Sequence, residues 1–214
     1  MNELSFDSFM SFPSKERKRM IHDPECLKIM IQKNLKQSRY LHSISVAETA
    51  AMLAEYHHMD KDKAYTAGLL HDCTKYFSEA QHDEYLKYYD PQKLAYPESC
   101  KHAFSAGYYL KEKLNLHDSD ILNAIRNHTI CFSRDRLSII LYIADKREPL
   151  RGIDDGILEL AKKDLYEAFF LLCGAKGHFQ FLLLPGTETA YGVGYDVLRD
   201  VLRRIEHAVL LAIG

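Results

Sequence analysis

The chain has 214 residues, of which 47% are hydrophobic and 27% are charged, and its formal net charge is −2. This length is enough for one domain that buries a sizeable core, and the near-neutral charge does not indicate nucleic acid or an anionic membrane surface as a partner. The sequence contains no apolar run long enough to cross a membrane, and Ser5 to Arg19 lacks the apolar core of a signal peptide.

The cysteines are scattered, and the histidines are unusually frequent. The five cysteines lie at positions 26, 73, 100, 131 and 173 and include no CxxC pair. An odd, widely spaced set argues against a disulfide framework and favours a reducing compartment, so we expect a cytoplasmic protein. The eleven histidines, beside no tryptophan, are the one unusual feature of the composition, and histidine is the commonest metal ligand.

Residues 1–24 are predicted to form a peripheral N-terminal arm. The arm carries the basic run Lys15 to Arg19, and Pro24 closes it. A solvated arm is the preferred interpretation of this run. A role in binding a polyanion or a partner is the alternative.

The spacing of apolar residues then predicts successive helices. The first runs from Glu25 to Lys36, and in the second, His42 lies on the stripe that faces the core. Candidate N-terminal capping residues are Ser38 and, further on, Asp118 or Ser119; Asp60 or Asp62 can start another helix, and one more begins near Ser99. Residues 76–99 read as a tyrosine-rich connection with a short helix and a loop. We expect His57, His58 and His82 on the surface.

The chain after Asp145 is also predicted to be mainly helical. Pro149 and Gly152 end the helix that contains Asp145, and residues 157–173 form one amphipathic helix. The apolar run 179–184 fits a strand or a helix, and residues 197–209 mark a final helix. We predict an all-α fold with one domain at residues 25–175 and a C-terminal loop and helix, 176–214, packed on it.

Imidazoles and carboxylates recur on the apolar faces or at the ends of these helices. The positions are His42, His71-Asp72, His102, His128 and Asp145. An ionised carboxylate in an apolar place is costly unless it is paired or bound to metal. Satisfied core groups would require a separate explanation at each position, whereas one polynuclear metal site accounts for all of them.

The order H…HD…H…H…D resembles the HD-domain superfamily of metal-dependent phosphohydrolases and, more narrowly, the YqeK-like family of symmetrical diadenosine tetraphosphate hydrolases. The resemblance covers residues 25–165. The motifs that carry it are RYLHS at 39–43, LLHDCTK at 69–75, HAFSAG at 102–107, NAIRNHT at 123–129 and LYIADK at 141–146, followed by Glu148-Pro149. Two positions depart from the family pattern: Thr74 replaces its usual alanine, and Arg147 stands where an apolar residue is expected.

The resemblance implies a set of metal ligands. One metal would be held by His42, His71, Asp72 and Asp145, and the second by His102 and His128, with Asp72 as the bridge. Imidazoles with carboxylates suit two divalent or trivalent transition-metal ions. The family suggests iron; manganese, cobalt or zinc also fit.

The implied activity is hydrolysis of diadenosine tetraphosphate into two ADP by attack of a metal-bound hydroxide on phosphorus. The ADP leaving group is anionic at neutral pH, which reduces the need for a general acid. We expect Asp72 and Lys75 to be the catalytic residues. The expected substrate-binding cations are Arg39, Lys75, Lys146 and Arg151; for Lys75, a surface ion pair is the alternative to a phosphate contact.

Two other functions stay open. The same metal site could act on a nucleoside monophosphate, a dNTP or a cyclic dinucleotide, or the chain could be a non-catalytic module that binds nucleotide. In each case we expect a small-molecule partner and neither nucleic acid nor membrane, and a homodimer is compatible with the sequence. The tyrosines at 85, 88, 89 and 96 favour helix packing or a dimer surface over stacking on a base.

Overall fold

Helices make up every regular element in the part of the chain that the structure describes. The computed structural model describes residues 4–130, 133 and 135–175, so the predicted run 179–184 and the predicted final helix 197–209 lie outside it. The α-helices are α1 (Phe6–Phe9), α2 (Ser14–Met20), α3 (Pro24–Asn34), α4 (Gln37–Tyr56), α5 (Lys61–Leu70), α6 (Glu79–Tyr89), α7 (Glu98–Leu114), α8 (Ser119–Asn127), α9 (Arg136–Arg147), α10 (Ile157–Lys163) and α11 (Leu165–Ala175). Two 3₁₀ turns, Pro91–Ala95 and Pro149–Arg151, follow α6 and α9. The predicted all-α fold is confirmed for these residues.

The centre of the bundle is the pair α4 and α5, with α8 and α9 packed against it. Small residues let α4 and α5 approach closely: a Cβ added to Gly68 would lie 2.5 Å from Ala47 Cα. Helix α7 packs on α8, and α6 packs on α7. This close contact between α4 and α5 holds the middle of one helix beside the end of the other.

Aspartates begin several of the helices, as the sequence predicts. Asp60 Oδ1 accepts hydrogen bonds from the backbone N–H groups of Asp62 and Lys63, and Asp118 caps α8 in the same way. The predicted cap at Ser38 is wrong, because Ser38 lies inside α4, which begins at Gln37 with Lys36 at the cap position and no side-chain hydrogen bond there.

The predicted helix over 157–173 is two helices. Asp164 has extended backbone angles, φ −138° and ψ 100°, and ends α10. Its carboxylate then accepts a hydrogen bond of 2.9 Å from Glu167 N in the first turn of α11. An amphipathic pattern continues across this break because both helices bury the same side, and the break is therefore hidden in the apolar spacing.

The N-terminal arm is more than a solvated extension. Phe6 and Phe9 are buried in the same core as the main helices, and the Phe6 ring meets the Tyr109 ring edge-on with centroids 5.4 Å apart. The basic run keeps Lys15 and Lys18 exposed. The arm thus packs on α7 through its apolar residues, while basic residues of α2 face solvent.

The three histidines expected on the surface have different environments. His58 is exposed, and His57 is half-buried with its Nε2 2.6 Å from Ala161 O. The prediction for His82 is wrong: its side chain is buried under α7, with Nδ1 2.7 Å from Ser105 Oγ. Its charged neighbour Asp83 also meets α7, where Lys101 Nζ donates to Asp83 Oδ1 over 2.7 Å.

Within the residues described, no helix combines the length and the apolar character that a membrane crossing requires.

Candidate metal centre

One end of the bundle gathers the side chains that the sequence singled out. His42 comes from the first half of α4 and Asp145 from the last turn of α9. The other four follow a helix end or lie near a helix start: His71, Asp72, His102 and His128. All six are buried. Because α4 and α5 are antiparallel neighbours, the start of one helix and the end of the other share this end of the bundle.

Helix α5 stops just before the histidine–aspartate pair. His71 is its C-terminal cap, and residues 71–76 form turns, with Lys75 N donating to Asp72 O over 2.9 Å. Lys75 therefore lies in this turn and not on a continuing helix. Its Nζ is 3.1 Å from His102 Nε2.

The two oxygens of Asp72 face different partners. Oδ1 lies 3.1 Å from His102 Nε2 and 3.6 Å from His128 Nε2, and these two imidazole nitrogens are 3.2 Å apart. Oδ2 lies 3.4 Å from His71 Nε2 and 2.9 Å from Arg39 Nη1. Asp72 thus stands between two sets of donor atoms.

Asp145 completes the set on the Oδ2 side. Its Oδ1 lies 3.1 Å from His42 Nε2 and 3.8 Å from His71 Nε2. The His42 and His71 rings meet edge-on with centroids 5.3 Å apart. The donor set on the Oδ2 side of Asp72 therefore contains two imidazoles, those of His42 and His71, and one oxygen from each aspartate.

These separations fit metal ligands. Two donors each about 2.1 Å from one ion, at an angle of 90–110°, lie about 3.0–3.4 Å from each other. The distances His42–Asp145, His102–Asp72 and His102–His128 are 3.1, 3.1 and 3.2 Å. Moreover, His71 Nε2 and Asp72 Oδ1 are buried without a satisfactory hydrogen bond among the described residues, a state that is costly unless an ion is bound. The residues present therefore fit two transition-metal ions.

The opposite ring nitrogens orient three of the four imidazoles. His71 Nδ1 and His128 Nδ1 each lie 2.7 Å from the backbone carbonyl three residues earlier, that of Gly68 or Ile125. When Nδ1 carries the proton, its N–H group donates to that carbonyl, and the lone pair of Nε2 faces the site. His42 Nδ1 instead lies 3.0 Å from the carboxylate of Glu148.

Burial and charge shift the pKa values of these groups in opposite directions. Burial lowers the pKa of His128, and it lowers that of His102 to about 4, so both rings are neutral near pH 7. Burial alone would raise the pKa of Asp72, but the surrounding imidazoles outweigh it and hold that pKa well below its usual range. Burial opposes protonation of His71 as well, yet Asp72 and Asp145 raise its pKa overall.

A cleft of about 340 Å³ opens over this cluster. Its lining includes the four predicted substrate-binding cations, Arg39, Lys75, Lys146 and Arg151. Lys146 Nζ contacts Asp145 Oδ2, and Arg151 Nη2 lies 2.9 Å from Asp145 Oδ1. Burial lowers the pKa of Lys75. The cations thus surround the aspartates at the floor of the cleft.

Asn127 and the tyrosines of α6 make contacts away from the donor atoms. Asn127 Nδ2 donates to the backbone of Asn123 over 2.9 Å, which is a local helix contact. The Tyr89 ring stacks on Tyr108 at 4.6 Å, and Tyr88 is 80% exposed. None of these tyrosines is among the residues that line the cleft, so their structure agrees with helix packing.

Two contacts around the ligands were missed in the sequence. Glu148 is buried against His42, and Thr74 donates from Oγ1 to His102 O over 2.8 Å. Glu148 follows Asp145 by three residues, just after the LYIADK segment, and this spacing is the hint that the sequence gives. Thr74 was noted solely as a departure from the family pattern.

Comparison with known proteins places this architecture in a family. A family model described as HD domain matches residues 39–150, more than half of the 214 residues. A solved structure from Clostridium acetobutylicum, described as a predicted HD superfamily hydrolase involved in NAD metabolism, superposes with a TM-score of 0.61 at 29% identity, over 75% of this chain and 87% of that one.

Two curated relatives have more specific names. A Mycoplasma pneumoniae protein named probable nicotinate-nucleotide adenylyltransferase/Ap4A hydrolase is 35% identical over 153 residues, which cover 67% of this chain and 44% of that protein. A Halalkalibacterium halodurans protein named symmetrical bis(5′-nucleosyl)-tetraphosphatase is 33% identical over 64% of this chain and 75% of its own length. The matched region thus spans less than half of the first relative and three quarters of the second. The chain belongs to the HD-domain family, in the branch that contains the symmetrical bis(5′-nucleosyl)-tetraphosphatases.

Proposed function

We propose that the chain is a metal-dependent hydrolase that cleaves diadenosine tetraphosphate symmetrically into two ADP. The observation that carries this proposal is the meeting of six donor side chains, Asp72 among them, at the floor of a cleft lined by four cations. The names of the relatives support the choice of substrate.

The proposed ligands divide between the two oxygens of Asp72. His42, His71, Asp72 and Asp145 would hold one ion, and His102, His128 and Asp72 the other. Iron is the proposed metal, with manganese, cobalt and zinc as alternatives that the same donors accept. When bound, two such ions would supply Lewis-acid activation of water and of phosphate oxygen near neutral pH.

The cations of the cleft suit a polyphosphate. Arg39 and Arg151 each present a guanidinium beside an aspartate, at 2.9 Å in both cases, and a guanidinium can hold a phosphate through two parallel hydrogen bonds. Lys75 and Lys146 add point charges at the same floor. Once the aspartates share their charge with metal ions, these cations can turn to the phosphate oxygens.

The reaction is balanced by one water molecule. The water oxygen joins one of the two central phosphorus atoms, and the bond from that phosphorus to the central bridging oxygen breaks. The bridging oxygen leaves with the second ADP, which is a stable anion at neutral pH. The protein's own residues thus need to bind and orient the chain of phosphates, and Lys75 is positioned for this.

The test is product analysis with protein reconstituted separately with Fe²⁺, Mn²⁺, Co²⁺ and Zn²⁺. ADP as the sole product of diadenosine tetraphosphate is the expected result, and in H₂¹⁸O one ADP of each pair should carry one ¹⁸O on its β-phosphorus. ATP plus AMP would contradict the proposal. So would turnover of a nucleoside monophosphate, a dNTP or a cyclic dinucleotide without turnover of diadenosine tetraphosphate.

Elemental analysis separates an enzyme from a non-catalytic module. Protein purified without chelator is expected to hold about two transition-metal ions per chain. Fewer than about one ion per chain, together with nucleotide binding but no turnover, would favour the binding module.

The setting of the enzyme is also a proposal. Cys26, Cys73 and Cys100 have free thiols, which supports a reducing compartment such as the cytoplasm. We propose a small-molecule substrate with neither nucleic acid nor membrane as a partner. Sedimentation analysis would show whether the chain forms the homodimer that the sequence permits.

A further inference from the structure

The ligand histidines differ in what holds their outer nitrogen. His71 and His128 are the C-terminal caps of α5 and α8, where the last helical carbonyls have no N–H partner in the helix. Each ring can therefore donate from Nδ1 to a carbonyl of its own helix. His42 lies inside α4, where the nearby carbonyls accept from helical N–H groups, so it needs an acceptor from elsewhere in the chain.

Glu148 is that acceptor, and it is 106 positions away in the sequence. Its side chain is only 2% exposed, and Oε1 lies 3.0 Å from His42 Nδ1. A carboxylate accepts but does not donate, so this contact requires the proton on Nδ1 and leaves the lone pair of Nε2 facing Asp145. With the proton on Nε2 instead, the ring would donate to Asp145 and could not bind a metal.

The second oxygen of Glu148 has a different hydrogen-bond partner. Oε2 accepts a hydrogen bond of 2.7 Å from Leu150 N, at the start of the 3₁₀ turn that follows α9. This turn ends at Arg151, whose guanidinium contacts Asp145 and lines the cleft. One carboxylate thus connects a ligand imidazole to the segment that carries a cleft cation.

We propose that Glu148 is a positioning residue that keeps His42 in the tautomer able to bind metal and fixes the turn that carries Arg151. This inference rests on the metal site proposed above. It requires both oxygens to be acceptors, and an amide cannot meet that requirement. In Glu148→Gln, the amide must either donate to His42 Nδ1, which moves the ring proton to Nε2, or direct its NH₂ group at Leu150 N–H.

The experiment measures metal affinity rather than turnover. Metal-free protein is titrated with Mn²⁺ and Zn²⁺ against a chromophoric chelator, and the ring nitrogens of ¹⁵N-histidine-labelled protein are observed by NMR. Glu148→Gln is expected to weaken one of the two sites by about 10- to 100-fold while the other changes little. With Zn²⁺ bound, the parent should show His42 protonated on Nδ1 and not on Nε2, as the contact with Glu148 requires.

The matched control perturbs the same segment without touching His42. Arg147 donates from Nε to Asp155 Oδ2 over 2.8 Å and so fixes the far end of this segment. Asp155→Asn is expected to lower the melting temperature but to leave both metal affinities within about twofold. A second variant, Glu148→Asp, keeps the charge with a shorter reach and should fall between the parent and Glu148→Gln.

Two results would overturn the inference. One is a Glu148→Gln protein that binds both ions as tightly as the parent and keeps the Nδ1 proton of His42. The other is an equal loss of affinity in Asp155→Asn, which would assign the effect to the whole segment. Because neither measurement uses diadenosine tetraphosphate, a failure of the proposed substrate leaves this test intact.

Discussion

At the scale of single residues, Asp72 is the proposed bridge between the two metal ions. Its oxygens face different imidazole sets, at 3.1 Å from His102 and 3.4 Å from His71. Asp72→Asn keeps the shape but replaces one oxygen by an NH₂ group that cannot bind metal. We expect loss of both ions and a fall in turnover by about 10³-fold or more, with the helical circular-dichroism spectrum unchanged.

The control for Asp72→Asn is Asp62→Asn on the exposed start of α5, which should keep metal and turnover. Metal content is measured by elemental analysis and turnover by ADP release. An Asp72→Asn protein with two bound ions and parental turnover would mean that the bridge has been misassigned.

Lys75 should affect substrate and not metal. Its Nζ lies 3.1 Å from His102 Nε2 and lines the cleft, but an ammonium group offers no lone pair to a metal ion. Lys75→Ala is expected to keep both ions and to lose about 10- to 100-fold in kcat/KM, the worth of one charged hydrogen bond. Lys75→Arg should recover part of the loss, and exposed Lys61→Ala should show none. Metal loss in Lys75→Ala would contradict this assignment.

Sequence reasoning found the proposed ligands but not the groups that support them. His42, His102 and the other ligands are visible because each breaks an apolar pattern and each falls in a motif. Glu148 was missed because its importance depends on contact with a residue 106 positions away. His82 was placed wrongly because its sequence neighbours are charged, and only the packing of α7 on α6 reveals that it is buried.

At the scale of helices, the contact between α4 and α5 sets the spacing of His42 and His71. It depends on Gly68, where an added Cβ would lie 2.5 Å from Ala47 Cα and 2.8 Å from Ala47 N. These are backbone atoms, so the helices themselves would have to separate. We expect Gly68→Ala to lower the free energy of unfolding by about 3 kcal/mol and to weaken metal binding, as measured by urea unfolding and metal titration.

Gly156→Ala is the control for this prediction. Gly156 has φ +74° with no atom within 4 Å of an added Cβ, so the change costs only the left-handed strain, about 1 kcal/mol. Metal affinity should stay at the parental value. Equal effects of the two substitutions would show that close helix packing is not what Gly68 provides.

The starts of the helices were easier to predict than their interruptions. Asp60 and Asp118 indicate helix starts because a carboxylate can accept hydrogen bonds from the free N–H groups of the first turn. Asp164 interrupts a continuous apolar pattern, and no glycine or proline marks the break. The packing of α1 on α7 could not be predicted either, since a four-residue helix has too few turns to show a period.

At the scale of the whole molecule, buried neutral histidines make stability depend on pH. Burial lowers the pKa of His82 from 6.5 to about 4, and repulsion by Lys101, and by His102 when that ring is protonated, acts in the same direction. Between these two pH values, His82 is protonated in the unfolded chain but neutral in the folded chain. The free energy of unfolding therefore falls as the pH drops from about 6.5 to 4, by at most about 1.4 kcal/mol per pH unit for this residue.

His82→Gln removes this contribution and keeps a polar group next to Ser105. Urea unfolding of chelator-treated protein at pH 7, 6 and 5 should show a shallower loss of stability in the variant than in the parent. The other buried histidines titrate in both proteins, so the difference between the two curves isolates His82. Parallel curves would mean that His82 has the same pKa in the folded and unfolded chains and would contradict the prediction.

The distance along the chain between His42 and Asp145 has a consequence for the lifetime of the fold. Their side chains meet at 3.1 Å although they are 103 positions apart. An ion bound by both would act as a removable cross-link that closes a very long loop, for which chain-entropy models give about 4–5 kcal/mol for a permanent link. A cell short of the metal would then lose the protein itself, through unfolding and proteolysis, as well as its activity.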